Sequence, residues 1–120
     1  MCGAPTIYRM LVLEELSKYD FSNLRHCVGA GEPLNPEIIE TWKSATGLTI
    51  RDGYGQTETS ILCGNFYFIE PKPGSMGKPA PGVHLAVINE DGNEVAMGVE
   101  GDIAVLIEPN RPQGMFKEYK

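Results

Sequence analysis

The chain has 120 residues, which is enough for one domain with a hydrophobic core and too few for two. Hydrophobic residues make up 42% of it and charged residues 22%, and no apolar run approaches the roughly 18–20 residues of a membrane helix, so the composition argues against a disordered or membrane-spanning chain. Its formal net charge of −6, with scattered cations, disfavours binding to nucleic acid, which requires a basic patch.

The first half of the chain predicts alternating helices and strands. Apolar side chains recur at helical spacing over residues 5–19, and residues 24–28 suit a short strand that stops at glycine. A second helix is predicted to begin after the N-cap Asn35 and to end at Gly47. Residues 48–51 are a second predicted strand. This order indicates the α/β class, as part of a parallel sheet with covering helices.

The second half of the chain changes in character near residue 71. Proline and glycine become frequent there and predict a loop or linker, and residues 84–88 and 102–107 are predicted strands beyond it. We therefore divide the chain into residues 1–70, part of a larger subdomain, and residues 71–120, a linker and the start of a β-rich subdomain. The C-terminal residues carry no stop signal, and we expect the chain to be an interior segment of a longer one.

Two glycine-containing loops follow the predicted strands. The first comprises residues 29–34, before the capped helix, and the second comprises residues 52–59, directly after the strand at 48–51. Ligands of open α/β sheets bind outside the carboxyl ends of strands. If the two strands are neighbours, both loops border one crevice.

The second loop contains residue types that suit a nucleotide. Gly53 and Gly55 let the backbone approach a ligand closely, and Tyr54 between them can stack on a purine. Thr57 offers a hydroxyl to a phosphate oxygen, and Glu58 offers a carboxylate of the kind that Mg²⁺ binds together with substrate phosphates.

Asp52 precedes these residues and could accept a hydrogen bond from an exocyclic amine such as that of adenine. The residues alone leave structural alternatives open. A Gly-x-Gly sequence is common in turns, a tyrosine beside glycines is often packed, and Thr57 and Thr59 on either side of Glu58 could cap a helix.

Three motifs in order along the chain resemble the adenylate-forming superfamily, which includes acyl-CoA synthetases. Residues 54–59 (YGQTET) resemble its central signature, residues 31–33 (GEP) lie where it has an adenine loop, and residues 74–79 (GSMGKP) resemble its Gly-x-x-Gly-x-Pro segment. The whole chain aligns with the middle of this family. Residues 2–10 together with Gln56 make it most similar to the medium-chain acyl-CoA synthetase branch.

The resemblance implies a role for each matching residue. The adenine pocket would be formed by Gly31, Glu32 and Pro33, with Tyr54 stacking on the ring. The nucleotide loop would comprise Asp52, Gly53, Tyr54, Gly55, Gln56 and Thr57. Thr57 would contact the α-phosphate and the acyl carboxylate, Glu58 would hold Mg²⁺, and both are candidate catalytic residues. The acyl pocket would be bordered by Val28, Gly29 and Ala30.

The resemblance also implies an acid–thiol ligase reaction. A carboxylic or fatty acid would react with ATP to give acyl-AMP and pyrophosphate, and the acyl group would pass to coenzyme A, so that ATP or AMP, Mg²⁺, coenzyme A and a small carboxylic acid are the implied ligands. The family's phosphate loop, ribose-binding aspartate and C-terminal lysine lie outside this sequence. We therefore expect the 120-residue chain to be inactive alone.

Two alternatives remain beside this interpretation. The chain could belong to an amino-acid adenylation domain, although Gln56 stands where peptide synthetases commonly have proline. It could also be a non-catalytic chain that binds only a nucleotide or a partner. Both would share the predicted crevice.

The three cysteines, Cys2, Cys27 and Cys63, are widely spaced and form no C-x-x-C pair. We interpret them as reduced thiols, with Cys27 a buried small hydrophobe. The first five residues lack the basic start and apolar core of a secretory signal. The expected location is the cytoplasm, or the mitochondrial matrix in a eukaryote.

Overall fold

The computed structural model describes residues 1–109 and 111–119. In chain order its elements are β1 (Cys2–Gly3), α1 (Pro5–Leu11), a 3₁₀ turn (Leu16–Lys18), β2 (Cys27–Ala30), α2 (Pro36–Thr46), β3 (Ile50–Gln56), β4 (Ser60–Gly64), β5 (Lys78–Pro79), β6 (Leu85–Ile88) and β7 (Asp102–Val105). None of the helices it describes has the length and apolar character of a membrane span.

Five strands form one mixed sheet in the order β1-β2-β3-β4-β5. The first three are parallel, whereas β4 and β5 each run antiparallel to their neighbours. The α/β class is therefore confirmed, with an antiparallel extension of the predicted parallel sheet. β6 and β7 pair antiparallel in a separate two-stranded sheet, and they match the predicted strands at 84–88 and 102–107 within two residues. The division between residues 70 and 71 stays a prediction.

The hydrophobic core lies between the helices and the parallel strands. Trp42 of α2 is 1% exposed, and the rings of Tyr8 and Phe21 contact its indole edge-on at centroid distances of 5.5 Å. Ile39 of α2 and Cys27 of β2 are buried in the same cluster. The predictions of a core tryptophan and of a buried Cys27 are confirmed.

The two helices differ in how well the sequence predicted them. α2 begins at Pro36 and ends at Thr46, as predicted, followed by Gly47 in the left-handed conformation, although the Asn35 side chain makes no cap hydrogen bond. The helix predicted over residues 5–19 ends at Leu11. The chain turns there, which leaves Leu13 exposed and brings Leu16 into the core, so tertiary burial overrides the helical periodicity.

Two predicted strands have different limits in the structure. β2 starts at Cys27 and continues through the glycine that was expected to end it, because Cys27 to Ala30 pair with the first residues of β3. β3 runs to Gln56, so the prediction of a loop from residue 52 was wrong for its first five residues. The glycines there serve close strand pairing: a Cβ on Gly55 would overlap the carbonyl group of Ser60 in β4.

Candidate functional site

A cavity of about 350 Å³ opens at the carboxyl end of β2, beside residues 52–55 of β3. Three segments that are far apart in sequence form its walls, namely residues 31–34, 52–55 and 74–76. The first two meet because β2 and β3 are neighbours, with Ala30 paired to Gly53. The structure thus brings together parts of all three motifs that the sequence singled out.

Seven of the predicted site residues line this cavity, namely Gly31, Glu32, Pro33, Asp52, Gly53, Tyr54 and Gly55. Gln56, Thr57 and Glu58 lie beyond it, at the end of β3 and in the turn that follows. Four lining residues had no predicted role, namely Leu34, Gly74, Ser75 and Met76. The GSMGKP resemblance was the signal that pointed to the last three.

Asp52 joins two of the walls. It is 9% exposed, and its carboxylate accepts hydrogen bonds from the backbone N–H of Leu34 at 3.4 Å and of Gly53 at 3.1 Å. Burial raises the pKa of this carboxyl group, although the two hydrogen bonds oppose the rise. A carboxylate therefore ties the loop after β2 to the middle of β3, at the edge of the cavity.

Tyr54 is half-buried in the cavity wall. It pairs with Cys63 of β4, and the register of β3 against β4 shifts between Tyr54 and Gly55. Such an irregularity bends a strand and redirects its side chains, and it is a recurrent feature beside binding sites.

Arg9 of α1 contacts the loop after β2. It forms an ion pair with Glu32 at 3.1 Å and donates a hydrogen bond to the carbonyl of Pro33 at 3.1 Å. The two side chains are 40% and 54% exposed, so the pair orients the loop more than it stabilises the fold. Residues 31–33 are thereby held from the helix side.

The turn between β3 and β4 carries the remaining candidates. Thr57 is exposed, and the hydroxyl of the buried Thr59 accepts a hydrogen bond from the Gln56 N–H at 2.9 Å. No helix begins at this turn, so the capping alternative does not apply. The Glu58 carboxylate accepts a hydrogen bond from the Tyr119 hydroxyl, which lowers the pKa of Glu58 and raises that of Tyr119.

Glu58 is thus a carboxylate that stays ionised at neutral pH. Within the part of the chain that the structure describes, no three metal-binding side chains cluster. A single carboxylate nevertheless fits Mg²⁺, which commonly takes one or two protein carboxylates and completes its coordination with phosphate oxygens and water.

A second cavity, of about 290 Å³, is lined by Val28 and Arg51 together with Ile61, Phe66 and Tyr67. Successive side chains of a strand point to opposite faces of its sheet. Val28 accordingly borders this cavity, whereas Gly29 is buried beside Leu34 and Ile50. Of the three residues predicted to border an acyl pocket, Val28 lines this cavity, and Gly29 and Ala30 line neither cavity.

Comparison with known proteins gives a consistent result over the whole chain. The AMP-binding enzyme family matches residues 1–119. The mitochondrial acyl-coenzyme A synthetase ACSM3 of Rattus norvegicus is 53% identical over 118 residues, which are 98% of this chain and 20% of that protein. The mitochondrial ACSM4 of the same species is 50% identical over 119 residues, 99% of this chain and 20% of its own length. The chain therefore spans about a fifth of the length of these relatives.

Comparison with solved structures agrees with these sequence matches. The anthranilate CoA ligase AuaEII, in complex with anthranoyl-AMP, superimposes with a TM-score of 0.80 at 36% identity, covering 87% of this chain and 20% of that one. ATP-bound MatB from Rhodopseudomonas palustris gives a TM-score of 0.81 at 32% identity, covering 88% of this chain and 21% of that one.

Proposed function

The chain belongs to the AMP-binding enzyme family, and we propose that it supplies part of the nucleotide- and acyl-binding face of an acyl-CoA synthetase. The observation that carries this proposal is the cavity of about 350 Å³ at which three separate motifs meet. Because the chain spans about a fifth of its relatives, the activity is proposed for the longer protein that such relatives represent.

The cavity suits the adenine ring of ATP or AMP. Its volume falls within the roughly 300–1,000 Å³ of small-molecule sites. Tyr54 would stack on the ring, a contact worth about 1–3 kcal/mol by analogy with base–aromatic stacking, while residues 31–33 would form the facing wall. An ionised carboxylate has about four acceptor positions, so Asp52 retains capacity for the adenine amino group beside its two backbone donors.

Thr57 and Glu58 would act on the phosphates. The extended chain advances about 3.3 Å per residue, so a nucleotide that leaves the cavity along β3 passes Gln56 and reaches the turn within two or three residues. The exposed Thr57 hydroxyl would donate to the α-phosphate and to the acyl carboxylate. Glu58 would hold Mg²⁺, whose bound charge would stabilise the phosphate oxygens.

The second cavity would accept the acyl group. Its wall is mostly apolar and aromatic, which suits the body of a carboxylic acid, and Val28 is the predicted acyl-pocket residue that reaches it. Gly29 and Ala30 would support this wall indirectly, because they follow Val28 in β2. Asp52 and Gly53 border both cavities, so an acid in one and a nucleotide in the other would meet at β3.

In the proposed reaction a carboxylate oxygen of the acid bonds to the α-phosphorus of ATP, and the bond from that phosphorus to pyrophosphate breaks. The acyl-AMP then transfers its acyl group to the thiol of coenzyme A, and AMP leaves. Catalysis of this kind depends on positioning and charge stabilisation.

The relatives named above are mitochondrial, which supports the matrix as the compartment.

ATP–pyrophosphate exchange with a panel of carboxylic acids tests the proposal, on the 120-residue chain and on the longest protein that its gene encodes. We expect exchange in the longer protein with a fatty or aromatic acid, and none in the 120 residues alone. Exchange driven by an amino acid would support an adenylation domain instead. AMP binding without exchange for any acid would support the non-catalytic alternative.

A further inference from the structure

Asn65 lies directly after β4 and connects β3 to the third wall of the nucleotide cavity. Its side-chain amide donates to the carbonyl oxygens of Asp52 at 3.3 Å and Ser75 at 2.6 Å, and its side-chain oxygen accepts from the Lys72 N–H at 3.0 Å. Its backbone N–H donates to the same Asp52 carbonyl at 2.9 Å. Asn65 is 5% exposed, and it does not line the nucleotide cavity but borders the second cavity.

The segment that Asn65 holds has little regular structure of its own. No helix or strand occurs between β4 and β5 in residues 65–77, all of which the structure describes. Pro71 and Pro73 have no N–H to donate, and the N–H groups of Ser75 and Gly77 bond within the segment. The Arg51 side chain of β3 donates to the carbonyls of Phe66 at 2.8 Å and Ile69 at 3.1 Å, so it holds the first half of the segment. The bonds from Asn65 to Lys72 and Ser75 are the side-chain link to its second half, residues 72–77.

From this arrangement we propose that Asn65 is a positioning residue for nucleotide binding. It fixes Ser75, and with it the adjacent Met76, where these two residues complete the cavity wall. The inference rests on the proposed function and deepens it, since it assigns the integrity of one wall to a residue that does not line the nucleotide cavity.

Loss of the Asn65 side chain would lower the fraction of molecules that can bind the nucleotide. Without the Asn65 amide, the Ser75 carbonyl and the Lys72 N–H lose buried partners, and the segment gains conformations in which the wall is absent. The apparent Kd of a ligand rises in inverse proportion to the fraction of molecules that are competent to bind. A reduction of that fraction to roughly one tenth gives an increase of about 10-fold in Kd.

Two variants and one control test the role in the longest protein that the gene encodes. Asn65→Ala removes both functions of the side chain. Asn65→Asp is isosteric, keeps the acceptor for Lys72, and places an oxygen against the two carbonyls. The control is Asn89→Ala, because Asn89 also accepts backbone N–H groups, from Asp91 at 3.1 Å and Asn93 at 2.9 Å, but in the turn after β6. The Kd for a fluorescent AMP analogue and hydrogen exchange of residues 72–77 are measured well below each unfolding midpoint.

We expect a rise of about 10-fold in Kd for both Asn65 variants, faster exchange in residues 72–77, and wild-type values of both quantities for the control. An unchanged Kd in either folded Asn65 variant, or an equal rise in the control, would overturn the positioning role. Failure of both variants to fold would assign Asn65 to global stability and would also overturn it. A wild-type protein that binds no AMP analogue would instead remove the proposed function itself.

Discussion

Residues 1–80, the packed region, and residues 81–107, the hairpin region that contains β6 and β7, differ sharply in burial. Every buried hydrophobic residue that the structure describes, proline aside, lies in the packed region, namely Tyr8, Leu16, Cys27, Leu34, Ile39, Trp42, Ile50, Leu62 and Cys63. In the hairpin region even the strands leave Val87 39% and Ile103 41% exposed. Both cavities of the candidate site are lined by the packed region alone.

The buried polar residues follow the same division. Asp52, Thr59 and Asn65 all lie in the packed region, and each makes hydrogen bonds to backbone groups. A buried polar group that lacks a partner is costly, so these side chains both require and specify the arrangement of the strands around them. The core and the candidate site are therefore one structure, and the hairpin region contributes to neither.

The largest expected effect comes from removing the centre of the core. Trp42→Ala should lower the free energy of unfolding by about 3–5 kcal/mol, because it leaves a cavity between Tyr8, Phe21 and the sheet. Urea denaturation followed by circular dichroism measures the change. Ile103→Ala in β7 is the matched truncation in the hairpin region, where we expect less than about 1 kcal/mol. Similar losses for the two variants would contradict the division into regions.

The local features of the packed region could be predicted from the sequence. Pro36 and Gly47 mark the two ends of α2, and the spacing of its apolar residues identifies Trp42 as a core residue. Both features could be predicted because they depend only on residues close in sequence. The meeting of residues 31–33 with Asp52 and its neighbours also followed from the rule that ligands bind at the carboxyl ends of parallel strands.

The remaining features depend on contacts between distant residues. Two glycines spaced like Gly53 and Gly55 are compatible with a turn and with a closely paired strand. Only the pairing with β4 decides which of the two structures forms. The wall at Ser75 and Met76 depends on Asn65, which precedes Ser75 by ten residues. No local sequence pattern predicts the hydrogen bond between Asn65 and Ser75. α1 ends early because Leu16 packs in the core at a position that a continuous helix could not reach.

One glycine in each region should respond differently to the addition of a methyl group. Gly55→Ala should destabilise the protein by about 3 kcal/mol, since the added methyl group would overlap the Ser60 carbonyl and force β3 and β4 apart. Gly92→Ala, in the hairpin region, meets no atom within 4 Å and costs only the strain of its φ of 79°, about 1 kcal/mol. Thermal unfolding gives both values. AMP binding should weaken for Gly55→Ala alone, and weakening in both variants would show that the hairpin region shapes the site.

The smallest expected effect concerns the pH dependence of stability, which should come from the packed region through Asp52. Burial raises the pKa of Asp52 in the folded state above its usual value near 4, so the folded protein binds a proton more tightly than the unfolded chain does. By linkage, its contribution to stability is present below about pH 4 and is lost as the pH rises through the folded pKa.

Asp52→Asn removes this titration. Its single side-chain oxygen replaces only one of the two carboxylate oxygens that accept from Leu34 and Gly53, and the loss of the other hydrogen bond does not depend on pH in this range. The free energy of unfolding of the wild type, minus that of the variant, should therefore fall as the pH rises from about 4 through the folded pKa, by about 1.4 kcal/mol for each unit by which the pKa is raised. Urea denaturation of both proteins at several pH values measures this difference. A difference that rises with pH would mean that the two backbone hydrogen bonds outweigh burial and that the carboxylate is held in its charged form. In that case the edge of the cavity would carry a fixed negative charge, and its partner in a bound nucleotide would have to be a hydrogen-bond donor such as the adenine amino group.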